Sequence, residues 1–280
     1  MMTFVRLVAA SYWFVAMPLL LGMAWNKVQK ISKPKLATTY MEGYLIWFAF
    51  FFVGVHVKQG PKAWLAVVAL LSVVCLVILN KTLIERIKVA VADLKDIRRC
   101  GILLVAFVMS AFSVLFVVPS LKDDVLENAN FLFYTIPANI FGLSLGAIVH
   151  RVAAFGLLLF FFATYRSISF VLYKEEKKRL VFFAIAVLYY AVLTIGDVPL
   201  QVAVFQNIWN STTLFFSCVL PLSLMYSVKL CLQKKAEERD KYEILQDVIM
   251  LLCSFAAAQM VMDFGAGLCL LLFLLGMVLV

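Results

Sequence analysis

Apolar residues in this chain come in long, nearly unbroken runs instead of the short periodic stripes of a half-buried element. Each run approaches the roughly 20 residues that a helix needs to cross about 30 Å of hydrocarbon. Backbone groups in lipid must be satisfied within their own segment, so such runs are helices unless they alternate as barrel strands do. None alternates. The runs predict spans over residues 4–25, 41–57, 62–80, 100–119, 152–173, 180–198, 208–232, 248–262 and 264–280, about nine crossings in all. Pro18 and Gly22 fall inside the first span, which a lipid-embedded helix tolerates. His56 and Trp64 flank a tight turn at Gln59-Gly60-Pro61, where both suit an interfacial position. The last span reaches Val280 with no polar tail, as in a chain that continues.

Two polar stretches are predicted as helices outside the bilayer. Over 81–99, Leu83, Ile87, Val91, Leu94 and Ile97 recur at helical spacing between Lys and Arg residues, the pattern of a cytoplasmic amphipathic helix. Over 233–247 a charged cytoplasmic helix is expected, with Glu237 and Lys241 paired four residues apart.

Residues 121–173 upset a simple count of crossings. An acidic loop, Lys122-Asp123-Asp124-Val125-Leu126-Glu127, precedes an apolar segment over 131–149 that contains Pro137, Asn139, Gly142 and Gly146. His150-Arg151 then introduces the span at 152–173. If both apolar pieces crossed, the basic run at 174–179 would lie opposite the loop carrying Lys27, Lys30, Lys33 and Lys35. A re-entrant or external hairpin over 131–149 puts all basic loops on one side, as the positive-inside rule requires. The expected architecture is therefore all-α: one transmembrane domain over 1–280, about nine spans and one re-entrant or broken segment. The N-terminus is then outside and the C-terminus inside a bacterial inner membrane.

Composition agrees. The 280 residues are 65% hydrophobic and 15% charged, whereas a soluble domain carries about a quarter charged residues. The net charge of +9 sits in the loops between spans and records orientation, so nucleic acid is excluded as a partner. The six cysteines form no CxxC pair and read as small buried residues, with no disulfide framework or metal site. Asn210-Ser211-Thr212 is a glycosylation sequon too short to carry weight beside a span. There is no P-loop, HExxH or GxSxG, and the two histidines lie far apart. The chain reads as no enzyme and as needing no cofactor.

Candidate binding residues are the polar groups at membrane depth. Asp197, in Thr194-Ile195-Gly196-Asp197-Val198-Pro199, reads either as an intramembrane acid or as a carboxylate at a helix end. Arg166 reads as a cation facing the bundle, holding a substrate carboxylate, or as one snorkelling to the interface. Asn139, Gly142 and Gly146 lie in a broken segment whose half-helix ends suit ions or carboxylates. His150 and Arg151 read as a gate or as ion-pair partners of Asp123 and Asp124, or else as an interfacial helix start.

The sequence Tyr134-Thr135-Ile136-Pro137, the run through Gly142 and Gly146 to His150-Arg151, and Thr164-Tyr165-Arg166-Ser167-Ile168-Ser169 together resemble the later half of the spore-germination permeases. Leu220-Pro221-Leu222, followed by Lys229, Lys234 and Lys235, is similar to the way that family's last span ends. These are the B-type subunits of nutrient germinant receptors, in the amino acid–polyamine–organocation superfamily. The likeness covers roughly residues 88–235. In the first span only Gly22 answers to the family's glycine-rich break, and two further spans follow where the family's chain ends. The resemblance implies a permease-like protein that binds a small polar nutrient such as an amino acid, as transporter or receptor subunit. Its partners would be the lipid bilayer and other receptor subunits. Two other readings stand beside it: a non-transporting membrane scaffold subunit, and a lipid-linked glycosyltransferase using external acids.

Overall fold

A computed structural model describes residues 2–31, 34–56, 60–98, 129–195, 204–233 and 241–279, and every element among them is helical. Helix α1 (Met2–Ser11), a π-turn (Tyr12–Ala16) and α2 (Met17–Val28) form one rod. Then come α3 (Leu36–His56), α4 (Pro61–Leu79), α5 (Leu83–Arg98) and α6 (Ala129–Phe141). A second interrupted rod joins α7 (Leu145–Ala147), a π-turn (Ile148–Ala153) and α8 (Ala154–Leu172). After α9 (Glu176–Ile195) and the short α10 (Val204–Asn207), a third joins α11 (Ser211–Leu214), a π-turn (Phe215–Val219) and α12 (Leu220–Gln233). Helices α13 (Lys241–Val261) and α14 (Gly265–Leu279) complete the described chain.

Six of these rods are long and apolar enough to cross a membrane: Phe4–Val28, Leu36–His56, Pro61–Leu79, Leu145–Leu172, Ser211–Cys231 and Tyr242–Val261. The protein is a multi-pass, all-helical membrane protein. The count of about nine stands at six among the described residues, with α9 and the shorter α14 beside them. The expected span over 100–119, and the acidic loop with Asp123 and Asp124, lie outside the described residues.

Helix α3 starts at Leu36 and α9 at Glu176, a turn or so before the expected 41 and 180, and two other starts differ more. The rod expected from residue 152 begins at Leu145, because Ser144 caps it by accepting a hydrogen bond from the Ala147 amide at 3.3 Å. Just before it, Gly142 turns the chain at φ +59, a backbone angle that side chains beyond glycine resist. Residues 131–149 are thus two pieces. One is α6, which seats Phe133 between Phe14 (5.3 Å) and Phe51 (5.0 Å); the other is the first turns of the long rod, which takes in Gly146, His150 and Arg151. The other difference is α13, which starts at Lys241, so that Asp247 falls inside a spanning helix and not on a solvated one.

Helix α3 is the hub, packed against α2, α8 and α13. Met41, Tyr44, Leu45, Trp47, Phe48 and Phe51 are all buried, so most of the helix meets protein, while Phe50 and Val53 face outward toward its far end. Its crossing with α2 is glycine-limited. A Cβ on Gly22 would overlap the Thr39 carbonyl, and one on Gly43 the Pro18 carbonyl. Small residues allow this approach where lipid offers no hydrophobic drive between helices. Asn26 Nδ2 donates to Thr39 Oγ1 at 2.7 Å across the same seam.

Contacts sort the loops into two ends. At one end Arg6 Nη1 donates to the Gly142 carbonyl at 3.1 Å. At the other, Lys27 Nζ donates to the Leu79 carbonyl (3.2 Å) and Arg86 Nη2 to the Ile31 carbonyl (3.3 Å). Lys35 lies 3.6 Å over the Phe170 ring, which Arg166 and Arg179 also face. Lys27, Lys35, Arg166 and Arg179 therefore share one end.

Replacing Gly43 with Ala should force the α2–α3 crossing apart, at about 1–3 kcal/mol or more, since the obstacle is backbone. Gly267→Ala, which meets open space within a helix, should leave stability unchanged or raise it slightly. Thermal unfolding of both variants in detergent checks the contrast.

Candidate functional site

Pro18 has no amide hydrogen, so the Phe14 carbonyl, four residues earlier, loses the donor that a regular helix would supply. The chain answers with the π-turn at Tyr12–Ala16. Two hydroxyls from α3 then donate to the freed oxygen: Tyr44 Oη at 2.8 Å and Tyr40 Oη at 3.0 Å. Tyr40 Oη also lies 3.3 Å from the Gly156 carbonyl of α8. Gly156 makes this convergence possible, because a Cβ there would stand 2.5 Å from the Phe14 oxygen and 2.9 Å from Tyr44 Oη. Three rods thus meet at one backbone carbonyl deep in the bundle.

The third interrupted rod repeats the pattern. Its π-turn ends at Val219, two residues before Pro221, as the first ends at Ala16, two residues before Pro18. The π-turn at Ile148–Ala153 has no such proline, and nothing in the sequence marks it.

A second polar cluster lies nearer the basic end. Lys229 Nζ of α12 donates to Asp247 Oδ1 of α13 at 2.7 Å, with the carboxylate largely buried. Glu42 of α3 is only 8% exposed and lies within electrostatic reach of both. Its Oε2 has no hydrogen-bond partner among the described residues. Buried Ser223, Ser227 and Ser254 line the same α12–α13 seam, with Ser223 Oγ donating to Ser254 Oγ at 3.0 Å. Acids within a membrane are costly, and where they occur they tend to mark ion or substrate paths.

The residues expected from sequence are spread out. Arg166 pairs with Glu176 and faces Phe170 at the basic end. Burial alone would raise the Glu176 carboxyl, but hydrogen bonds and charge from Arg166, then Arg179, outweigh it and hold it below the ordinary carboxylate range. Gly142 and Gly146 lie at the opposite end of the rod that carries Arg166, roughly 30 Å away along its axis at 1.5 Å per residue. No single small ligand spans that distance. Asn139 is exposed, Gly142 accepts from Arg6, and Arg151 is exposed. His150 is half-buried with its ring edge-on to Trp209 at 5.5 Å. Asp197 lies outside the described residues. Asn210 of the sequon caps α11, its Oδ1 accepting from the Thr212 amide at 3.0 Å. The five described cysteines are free, and no group of three or more His, Cys, Asp or Glu suited to a metal occurs among the described residues.

Beside Arg166, a groove of about 790 Å³ opens between α8 and α9, lined by Tyr165, Tyr173, Phe182, Tyr190 and the Lys177–Lys178 pair. The Tyr165 and Tyr190 hydroxyls share a 2.7 Å hydrogen bond at its wall.

Comparison of the chain with family models, curated proteins and solved structures finds no match.

Sequence reasoning passed over Glu42, Tyr40, Tyr44 and Asp247. The available signals were an acid six residues into an otherwise apolar helix, and a proline four residues after Phe14 inside a span.

Tyr44→Phe and Tyr40→Phe should each cost about 0.5–1.5 kcal/mol, the usual net value of one hydrogen bond. The double variant should cost more than their sum, because only then is the Phe14 oxygen left bare. Unfolding free energies of the three variants measure the excess.

Proposed function

We propose that this protein is a permease-like membrane protein that binds a small polar nutrient, with amino acids as the favoured class, and acts as a transporter or nutrient-receptor subunit. The observation that carries the reading is the Phe14 node: a proline-interrupted spanning helix whose freed carbonyl is held by side-chain hydroxyls of a neighbouring helix. Broken backbone at membrane depth is tolerated only where it is buried in protein or lines a water-filled cavity. Transporters place substrate and ion sites at such breaks and rock one set of helices against another around them. Here the rod of α1 and α2 meets α3 and α8 through two hydroxyls and a bare glycine face, contacts that exchange partners more readily than a packed apolar seam.

The positive-inside rule puts the basic end, with Lys35, Lys178 and Arg179, in the cytoplasm. The N-terminus is then external, the C-terminus internal, and the membrane that of a bacterial cell. The partial likeness to germination permeases around Pro137, His150-Arg151 and Leu220-Pro221-Leu222 favours the same class.

Purified protein in nanodiscs, challenged with a panel of amino acids, tests the reading. At least one solute should raise the melting temperature, as about 2.7 kcal/mol of stabilisation at a hundredfold excess over Kd requires. The same solute should accumulate in proteoliposomes if the protein transports. A scaffold subunit shows neither effect, and that outcome ends the nutrient-binding reading.

A further inference from the structure

We infer that Glu42 is a proton-binding site, paired with the Lys229–Asp247 bridge across three spanning helices. The argument begins with charge. Glu42, Asp247 and Lys229 occupy one level of the bundle, with Glu42 six residues into α3, Asp247 six residues into α13 and Lys229 four before the end of α12. At 1.5 Å per residue that is about 6–9 Å from the helix ends. Among the described residues, one ammonium serves two carboxyls there. Asp247 takes the direct bond from Lys229, and Glu42 Oε2 is left buried without a donor. Fully ionised, the trio carries a net charge of −1 and leaves Glu42 Oε2 bare, in a setting where an unpaired charge costs several kcal/mol.

One positive charge brought to Glu42 removes that imbalance. A metal cation needs several oxygens around it. The groups facing Glu42 from the helices packed on it are instead the ammonium of Lys229 and the phenol of Tyr226 on α12, and the carboxyl of Asp247 on α13. From the other packed helices, Lys27 of α2 donates to the Leu79 carbonyl, Arg86 of α5 to the Ile31 carbonyl, Tyr134 of α6 to the Trp209 carbonyl and Arg166 of α8 to Glu176. A proton needs a single oxygen, and the bare Oε2 supplies one. Because α3, α12 and α13 each bring one member, gain or loss of that proton changes the attraction among three spanning helices at once. If the protein is a permease, this is where a proton gradient acts on it. That coupling rests on the transport reading; the proton site does not.

Infrared titration of the full-length protein in nanodiscs tests it. The spectrum should show the C=O stretch of a protonated carboxylic acid, changing between about pH 4 and pH 10, the range between free carboxyls and lysine. Labelling with ¹³C-glutamate should shift the band and ¹³C-aspartate should not, a comparison that leaves the fold untouched. Glu42→Gln should abolish it. A missing band, a band that follows the aspartate label, or one that persists in Glu42→Gln overturns the proposal. Uptake that fails while the band behaves as described removes the transport reading and keeps the site. Uptake unaffected by an imposed tenfold proton gradient, with no band, does the reverse.

Discussion

The fold depends on the Phe14 carbonyl, an oxygen that its own helix cannot satisfy. In lipid, water is not available to cover it, so another part of the chain must. Pro18 creates the demand, the π-turn absorbs the geometry, and Tyr40 and Tyr44 answer it from α3. Around that atom the packing is set by what can come close. Gly156 clears space for α8, while Gly22 and Gly43 fix where α2 crosses α3. The aromatic cluster of Trp13, Trp47, Phe51 and Phe133 surrounds the node with ring contacts of 5.0–6.4 Å. Helix α3 is consequently both a largely enclosed helix and the one that donates the decisive hydrogen bonds.

Charge divides the molecule along the same axis. Lys35, Arg166 and Arg179 gather over Phe170 at one end, where Glu176 neutralises part of them. A pair whose carboxylate is this exposed contributes little to stability. The Lys229–Asp247 pair is different in kind, because it is drawn into the bundle and brings Glu42 with it. A single helix hub thus carries the tyrosines of one polar site and the acid of the other, Glu42 lying between Tyr40 and Tyr44 in sequence. The two polar sites are therefore joined by one helix.

Much of this was legible in the sequence, and the remainder was hidden for physical reasons. Run length alone gave the helical membrane class, and the loop lysines predicted the common basic end seen at Lys35 and Arg179. Pro18 was visible, but the identity of its rescuers was not, because Tyr40 and Tyr44 lie 26 and 30 residues away from Phe14 and neighbour relations are not written in hydropathy. Thr38, Thr39 and Tyr40 make the first turn of α3 look like loop, so the span was expected only from residue 41; Glu42 fell just inside it, and its neighbours on α12 and α13 were not visible in sequence. In the fold Thr39 donates to the Lys35 carbonyl at 2.9 Å and accepts from Asn26, so these polar groups cost the helix little. Asp247 looked solvated for a similar reason: its partner Lys229 lies on a different helix. Arg166, read as a bundle-facing cation or a snorkelling one, is held near the basic end by Glu176, one helix turn beyond the rod's own end.

A double-mutant cycle between Pro18→Ala and Tyr44→Phe tests the central claim most directly. Alanine at position 18 restores the amide donor to the Phe14 carbonyl, so the account predicts that Tyr44→Phe, worth about 1 kcal/mol in the native sequence, becomes nearly neutral in the Pro18→Ala background. An unchanged cost in both backgrounds would contradict it.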